Sequence, residues 1–288
     1  MLTWNVNAKL RPKSAQAPSD DRAWSAKDDL EAIQAEVLRW QPDVFSLQEC
    51  SGPDGLERFG AEYRLLGAKL GHEPRAGFVQ LYAKKALEAG AFDVAGVPDV
   101  AAVVRLRGVD VAFVAVHLAN GMAQESQRGR HVQRALGVAT GRATSVVLFG
   151  DVNMPDAELS KLTREGLRCQ GVAEAACSQF SWHPQRNRHS DEEGYATKAP
   201  ARFDRVLFSG SLFGYAYLVG CRKQFQGGSG FYLSDHFAVM ALLDVDAEHD
   251  RRDRNLELAK KRRAAVARLR DHAALIERPR RGRWRPSA

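Results

Sequence analysis

Residues 144–158 read TSVVLFGDVNMPDAE. An apolar run from Val146 to Phe149 passes through Gly150 into Asp151; Asn153 follows two positions on, and Pro155 ends the run. This pattern reads as a buried strand. Alternation puts side chains two residues apart on one side of a strand. Asp151 and Asn153 therefore face the same way at its exit, where loops build sites. One carboxylate at a strand end is equally consistent with a turn or with the cap of the next helix. The ends of the other strands decide between these readings.

They end alike. TWNVN places Asn5 near the end of a first strand, DVFSLQE (43–49) ends on Glu49, and VAFVAVHLAN (111–120) ends with His117 and Asn120. ARFDRV (201–206) carries Asp204, and LSDHF (233–237) carries Asp235 and His236 just before a final strand. Buried acids are costly unless they are paired or hold a metal. Six apolar segments that each deliver Asp, Glu, Asn or His at a comparable place point to one shared site.

The frame around these ends is also readable. Leu30, Ile33, Val37 and Leu38 recur at helical spacing between Trp24 and Trp40, and Pro42 ends that helix. YRLLGAKL (63–70), GFVQLYAKK (77–85), AAVVRLR (101–107) and VDVAFVAVHL (109–118) read as strands, the last two joined as a hairpin at Gly108. Residues 123–139 read as a helix, and PDAELSKLTREG (155–166) as a short one with Pro155 in its first turn. HFAVMALLDVD (236–246) is the last strand, after a glycine-rich segment, QFQGGSGFYLSDH. The polar stretch from His183 to Pro200 has no periodicity and is long for a loop, which marks it as functional or mobile. Many strands, some antiparallel hairpins and a few helices predict two sheets packed face to face with helices outside.

The chain has 288 residues, 44% hydrophobic and 27% charged, ordinary values for a globular protein that buries a sizeable core. It has no apolar run of about 18 residues that could span a membrane, and its first residues do not read as a signal or transit peptide. Its four cysteines form no CxxC pair, so neither a disulfide framework nor a thiolate zinc site is indicated. An intracellular location, nucleus or cytoplasm, is the expectation. The net charge of +7 is unevenly divided. Residues 251–288 hold 14 Lys and Arg against 4 Asp and Glu, a net of +10, which leaves 28 against 31, a net of −3, on the first 250.

Metal-assisted phosphodiester cleavage suits such a site. One Glu and one Asn, Glu49 and Asn5, suit Mg²⁺ or Mn²⁺, hard cations that keep several waters. Asp151 can orient and deprotonate an attacking water, and Asn153 can donate to a phosphoryl oxygen as charge develops. His236, held by Asp204, can be kept cationic against the phosphate.

The ordered set WN, QE, VHL, GDxN, RFD and SDH resembles the endonuclease/exonuclease/phosphatase superfamily over roughly residues 1–246. That resemblance implies a four-layer α/β sandwich, two packed mixed β-sheets flanked by helices, with divalent-metal phosphodiesterase chemistry. Residues 247–288 would be a basic C-terminal helical tail. Position by position, the resemblance makes Asn5 and Glu49 metal-side residues and has His117 contact phosphate. Asp151 and Asn153 act on the water and the transition state, Asp204 pairs with His236, and Asp235 supports the metal or the network. TWNV, RFDRVLF and FSWHPQRN are most similar to the 5′-tyrosyl-DNA phosphodiesterase branch, as is VHLANGMAQESQRGRHVQ. That branch usually has Ser and then Arg after the His, where this chain has Asn120 and Met122. Asn120 and Arg202 complete the substrate side. Trp182, beside His183 in the polar loop, is a candidate to stack on a base or an aromatic leaving group.

Other residues have blander readings. Trp4 and Trp40 read as core or helix-end packing, and Cys50 as a small core residue facing away from the site. His72, His131 and His189 read as solvated, as does the DEE at 191–193. Asp20 and Asp21 read as the N-cap region of the first helix. Three classes of function remain in view. The first is a nucleic-acid phosphodiesterase, with DNA ahead of RNA and 5′-end processing ahead of abasic-site cleavage or RNA exonuclease activity. The second is a phosphatase or lipid phosphodiesterase on the same scaffold, and the third an inactive nucleic-acid-binding scaffold. The tail concentrates the chain's attraction for phosphate. Truncation after Asp246 should weaken oligonucleotide binding and flatten its salt dependence, which runs at a slope of roughly −0.7 to −0.9 per phosphate contacted. Turnover at saturating substrate should survive; unchanged affinity and slope would show that the tail binds something else.

Overall fold

The structure is a computed structural model that describes residues 1–6, 26–54, 57–71, 77–94, 99–165, 170–171, 173–174, 180–182, 200–209, 212–221, 224–226, 229–231 and 233–245. The basic extension, the polar stretch from His183 to residue 199, His72, Asp20 and Asp21 lie outside the described residues. In chain order the strands begin with β1 (Leu2–Asn5), β2 (Val44–Cys50), β3 (Tyr63–Leu70), β4 (Phe78–Lys84) and β5 (Ala89–Phe92). They continue with β6 (Val100–Leu106), β7 (Val109–His117), β8 (Ser145–Asp151), β9 (Gln170–Gly171) and β10 (Ala173–Glu174). The last are β11 (Asp204–Ser209), β12 (Phe213–Val219), β13 (Gln224–Gln226), β14 (Ser229–Phe231) and β15 (Ala238–Asp244). The helices are α1 (Ala26–Trp40), α2 (Glu125–Thr140) and α3 (Asp156–Arg164).

Two sheets form. The first runs β10-β12-β15-β1-β2-β4-β3 and the second β5-β6-β7-β8-β11-β9. Both are mixed: β1 pairs parallel with β2 and antiparallel with β15, while β7 pairs parallel with β8 and β8 antiparallel with β11. The inner faces meet through Val44, Val79, Leu81, Val104, Phe113, Phe149 and Phe208. On the outer face of the first sheet, Ile33 and Val37 of α1 pack on Leu2, Trp4, Phe45 and Leu47. On the outer face of the second, Val132, Ala135 and Leu136 of α2 and Leu162 of α3 pack on Val114, Val116 and Leu148. Burying each such aliphatic side chain contributes roughly 1.5–3 kcal/mol. The result is four layers, helix, sheet, sheet, helix, as expected.

The helix ends follow local rules. Gln41 adopts φ 46 and donates its N–H to Val37 O at 3.2 Å, a left-handed cap that Pro42 then makes final. Pro155 stands at the N-cap of α3, one place before the expected first turn. α2 starts at Glu125 because a tight turn at Met122–Gln124 precedes it. Strands β5, β9, β10, β12, β13 and β14 were not expected. β12 (FGYAYLV) inserts beside β15, and the glycine-rich segment forms a hairpin of β13 with β14. His131 is a correction: it is buried on α2 with Nε2 at 2.8 Å from both Asp99 carboxylate oxygens, a partner supplied by a distant loop.

Gly150 is demanded by the parallel pairing itself. It lies opposite Val116 with φ 146, and a Cβ there would stand 2.0 Å from Val116 O. Gly150→Ala should therefore destabilise the fold by about 3 kcal/mol or more. Chemical denaturation checks this, and a loss under about 1 kcal/mol would show that the strand pair can spread.

Candidate active site

The two sheets bring their strand ends together at one edge of the sandwich. In β1, Leu2 and Trp4 face α1, so alternation turns Asn5 inward. In β2, Phe45 and Leu47 also face α1, and strict alternation would send Glu49 with them. Instead Glu49 adopts φ 60, the β2–β4 register shifts between Leu47 and Cys50, and Cys50 takes the place on the α1 side. This bulge aims Glu49 at Asn5, whose Nδ2 donates to Glu49 Oε1 at 2.9 Å. Burial pushes the Cys50 thiol up, so it stays a neutral core group.

Asn5 Nδ2 also donates to Asp151 Oδ2 at 3.0 Å, which joins the first sheet to the second. Asp151 ends β8 with 2% exposure, directly opposite His117 on one side and Asp204 on the other. His117 Nε2 lies 3.6 Å from Glu49 Oε1 and 3.8 Å from Asp151 Oδ2, and its buried Nδ1 has no hydrogen-bond partner among the described residues. Asn153, at φ 50, donates its backbone N–H to Asp151 Oδ1 at 2.9 Å and its Nδ2 to Leu118 O at 2.8 Å. Glu49 and Asn153, two of the four non-glycine residues in the left-handed region among the described residues, lie at the site and mark strain held by the surrounding structure.

His236 completes the group. Its Nδ1 meets Asp204 Oδ2 at 2.7 Å, and its Nε2 lies 3.9 Å from Asp151 Oδ2. The loop that carries it is tied down from both sides. Ser234 Oγ donates to Asn5 O at 2.6 Å and accepts from His236 N at 3.1 Å, while Trp4 Nε1 donates to His236 O at 3.0 Å. Burial alone would lower the His236 pKa, but the charges of Asp204 and Asp235, the Asp204 hydrogen bond and Asp151 together raise it well above 6.5. Burial raises the Asp151 carboxyl and the charge of Asp204 adds to the rise, against His236, His117 and Asn5, which lower it. The structure thus holds a cationic imidazole beside a carboxyl whose proton affinity is high.

The remaining candidates lie around this centre. Asp235 is half-buried on the His236 loop, with Ser234 Oγ 3.4 Å from its Oδ1. Asn120 is exposed just beyond His117, its Oδ1 accepting from Gly121 N at 2.6 Å. Arg202 donates to Asp156 Oδ2 at 2.9 Å. Trp182 departs from expectation. It is buried, forms bridges to Ala201 and His236, and tilts its ring onto Phe203, which fits packing under the site and not stacking on a base. Sequence reasoning missed Ser181, whose Oγ accepts from Asp204 N at 3.1 Å, and Ser234, readable as the small residue before DH. It also missed Arg128, buried on α2 and paired with Glu158 of α3. An Arg inside the apolar stripe of a helix was the available signal.

One atom of each of Asp151, Asp204 and His236 lies within 4.8 Å of the others, a spacing at which three such groups could hold a cation. Asp204 Oδ2 is engaged by His236 Nδ1 while its buried Oδ1 has no hydrogen-bond partner among the described residues, and Glu49 presents a hard oxygen near Asp151, with Asn5 Nδ2 donating to both. Glu49, Asp151, Asp204 and Asp235 outnumber the cationic His236, and a divalent ion would offset that excess.

The sequence profile of the Endonuclease/Exonuclease/phosphatase family matches residues 2–236. No curated protein matches the sequence. Among solved structures, truncated Caenorhabditis elegans TDP2 is 18% identical with a TM-score of 0.62, over 83% of this chain and 94% of that one. D. rerio TDP2 complexed with a single-strand DNA product is 17% identical with a TM-score of 0.62, over 85% and 98%. A mannosyl-6-phosphatase of Bacteroides thetaiotaomicron is 16% identical with a TM-score of 0.56, over 84% and 98%. At these identities the likeness shows the fold.

The Asp204–His236 pair has a direct test. Because the folded pKa of His236 is raised, its contribution to stability is full below about 6.5 and is lost as pH rises through the folded value. Asp204→Asn should move the His236 titration midpoint down, read from its ring resonances by NMR, and move that pH window down with it. A midpoint left in place would show that Asp204 does not hold the charge.

Proposed function

The chain belongs to the endonuclease/exonuclease/phosphatase family, and from that premise we propose that it is a divalent-metal-dependent phosphodiesterase acting on nucleic acid. The substrate class we favour is DNA over RNA, with 5′-end processing such as removal of 5′-tyrosyl adducts. The observation that carries this reading is the position of Asp151, whose Oδ2 meets Asn5 at 3.0 Å and faces His117 at 3.8 Å and His236 at 3.9 Å. Acid, base and cation-side groups from both sheets converge on one carboxylate. The likeness to a D. rerio TDP2 structure that holds a single-strand DNA product supports nucleic acid as partner, on the active-site face and the basic tail. No helix among the described residues is long and apolar enough to cross a membrane, and we place the protein in the nucleus or cytoplasm.

Each residue then has a defined task. Asp151 takes the proton of the attacking water as the new oxygen–phosphorus bond forms, and a raised carboxyl is a better base than a free one. His236, its Nδ1 engaged by Asp204, presents Nε2–H and positive charge to a phosphoryl oxygen. Asn153 Nδ2 uses one hydrogen on Leu118 O and can offer the second to the same developing charge. His117 faces the phosphate from the β7 side. The bond to the leaving oxygen breaks, and that oxygen takes up a proton from solvent. Glu49 and Asn5, with Asp235 in support, would hold Mg²⁺ or Mn²⁺; Asn5 would have to turn its Oδ1 to the ion in place of the Nδ2 that donates to Glu49 and Asp151. When bound, the ion neutralises phosphate charge and stabilises the leaving oxygen.

A phosphomonoesterase is the second reading, favoured by the similarity to the mannosyl-6-phosphatase over 84% of this chain. A panel of labelled oligonucleotides and sugar phosphates, with and without chelator, separates the two. Cleavage of oligonucleotides lost with chelator is the expected result, and hydrolysis of sugar phosphates alone would refute the nuclease reading. In the same assay Asp151→Asn should lower turnover about 10²-fold or more. Glu49→Gln should raise the metal concentration at half-activity, and an unchanged midpoint would remove Glu49 from the cation.

A further inference from the structure

Arg128 of α2 and Glu158 of α3 form a buried ion pair. Arg128 Nε donates to Glu158 Oε1 at 2.9 Å and Nη2 donates to Oε2, so the guanidinium fork is seated on the carboxylate. Such a pair is a poor helix fastener, because desolvating two charges offsets most of their attraction. The helices already meet closely without it: a Cβ at Gly129 of α2 would stand 2.9 Å from Leu162 Cδ2 of α3. The remaining nitrogen shows where the fork is aimed. Arg128 Nη1 donates to Ala119 O at 2.9 Å and to Gly121 O at 2.7 Å, two carbonyls of the loop that leaves β7.

That loop meets the catalytic centre at Leu118. Its N–H donates to Asp151 O at 2.9 Å, and its carbonyl accepts from Asn153 Nδ2 at 2.8 Å. Asn153 stands at φ 50 between the end of β8 and the start of α3, the helix that carries Glu158. One guanidinium therefore joins the segment that bears Leu118 to the helix that follows Asn153. We propose that Arg128 is a positioning residue: by holding the carbonyls of Ala119 and Gly121 it fixes Leu118 O, and through it the Asn153 carboxamide. The role rests on the phosphodiesterase reading above, in which that carboxamide meets the developing phosphoryl charge. A lysine would keep a positive charge beside Glu158, but it has no planar fork to seat on a carboxylate and two carbonyls at once.

The test follows hydrolysis of bis-para-nitrophenyl phosphate with Mg²⁺. Arg128→Lys should lower kcat about tenfold and leave KM within about twofold, the mark of a misplaced group and not of lost substrate binding. In an Asn153→Ala background the same change should cost less than about twofold, because the group it positions is gone. Equal factors in the two backgrounds, or no loss in the first, would overturn the assignment. Lys161→Met removes the exposed pair with Glu125 that also joins α2 to α3 and should leave kcat unchanged; a loss matching that of Arg128→Lys would show that helix docking alone matters and overturn it too. The hold is also read without turnover. The Asn153 side-chain amide signal, identified by its loss in Asn153→Ala, should exchange with solvent about tenfold faster in Arg128→Lys, and an unchanged rate would refute the role. Glu158→Gln, which keeps the shape of the pair, takes the place of Arg128→Lys in each arm should that variant not fold. A parent inactive on every phosphodiester sinks the catalytic reading and leaves the hold on Asn153 decided by amide exchange.

Discussion

In the proposed reaction Asp151 has to be a charged base in a place where charge is unwelcome. It is buried, burial raises its carboxyl, and Asp204 stands directly across the strand pair with a second carboxylate. Two such groups cannot sit together unless cations or donors surround them. Asn5 meets Asp151 Oδ2 from the other sheet, the Asn153 backbone meets Oδ1, and His236 bridges the charge to Asp204. The rest of the edge supports these partners. Trp4, Ser181 and Ser234 are tied to the segments that carry His236 and Asp204, and Ser234 also to Asn5 O.

Because the partners come from both sheets, the sandwich must bring strand ends into register within hydrogen-bond distance. Local backbone strain is where this alignment is made. Gly150 lets β8 approach β7 more closely than any side chain would permit, which sets Asp151 opposite His117. The left-handed turn at Glu49 aims a carboxylate that a regular strand would point elsewhere, and Asn153 adopts the same region just beyond the end of β8. Each costs of order 1–3 kcal/mol, offset by the packing of four layers.

Much of this was legible because strand alternation is a local property. The apolar run ending at Asp151, and the WN of β1 with one residue for the α1-side core and one for the site, needed no knowledge of partners. Glu49 was legible only as a polar strand end. Its direction depends on a bulge against β4, and strict alternation would have placed it on the wrong face. His131 looked solvated because its own helix is polar around it; the carboxylate that buries it comes from Asp99, far along the chain. Trp182 looked like a loop aromatic until Phe203 and the bridge to His236 buried it.

The sequence by itself determined which residues could serve: the order of the strands, the polar group at each exit, the helix stop at Pro42, the end of the apolar run at Pro155, and the split between a body at −3 and a tail at +10. These follow from periodicity and from backbone chemistry that acts over a few residues. Only the tertiary structure decided which of them meet. The pairing of Asn5 with Glu49 and Asp151, the hold of Asp204 on His236, and the Arg128 clamp on the carbonyls of Ala119 and Gly121 each join residues from separate elements. Their contact is set by how the sheets pack and where the backbone leaves its regular path.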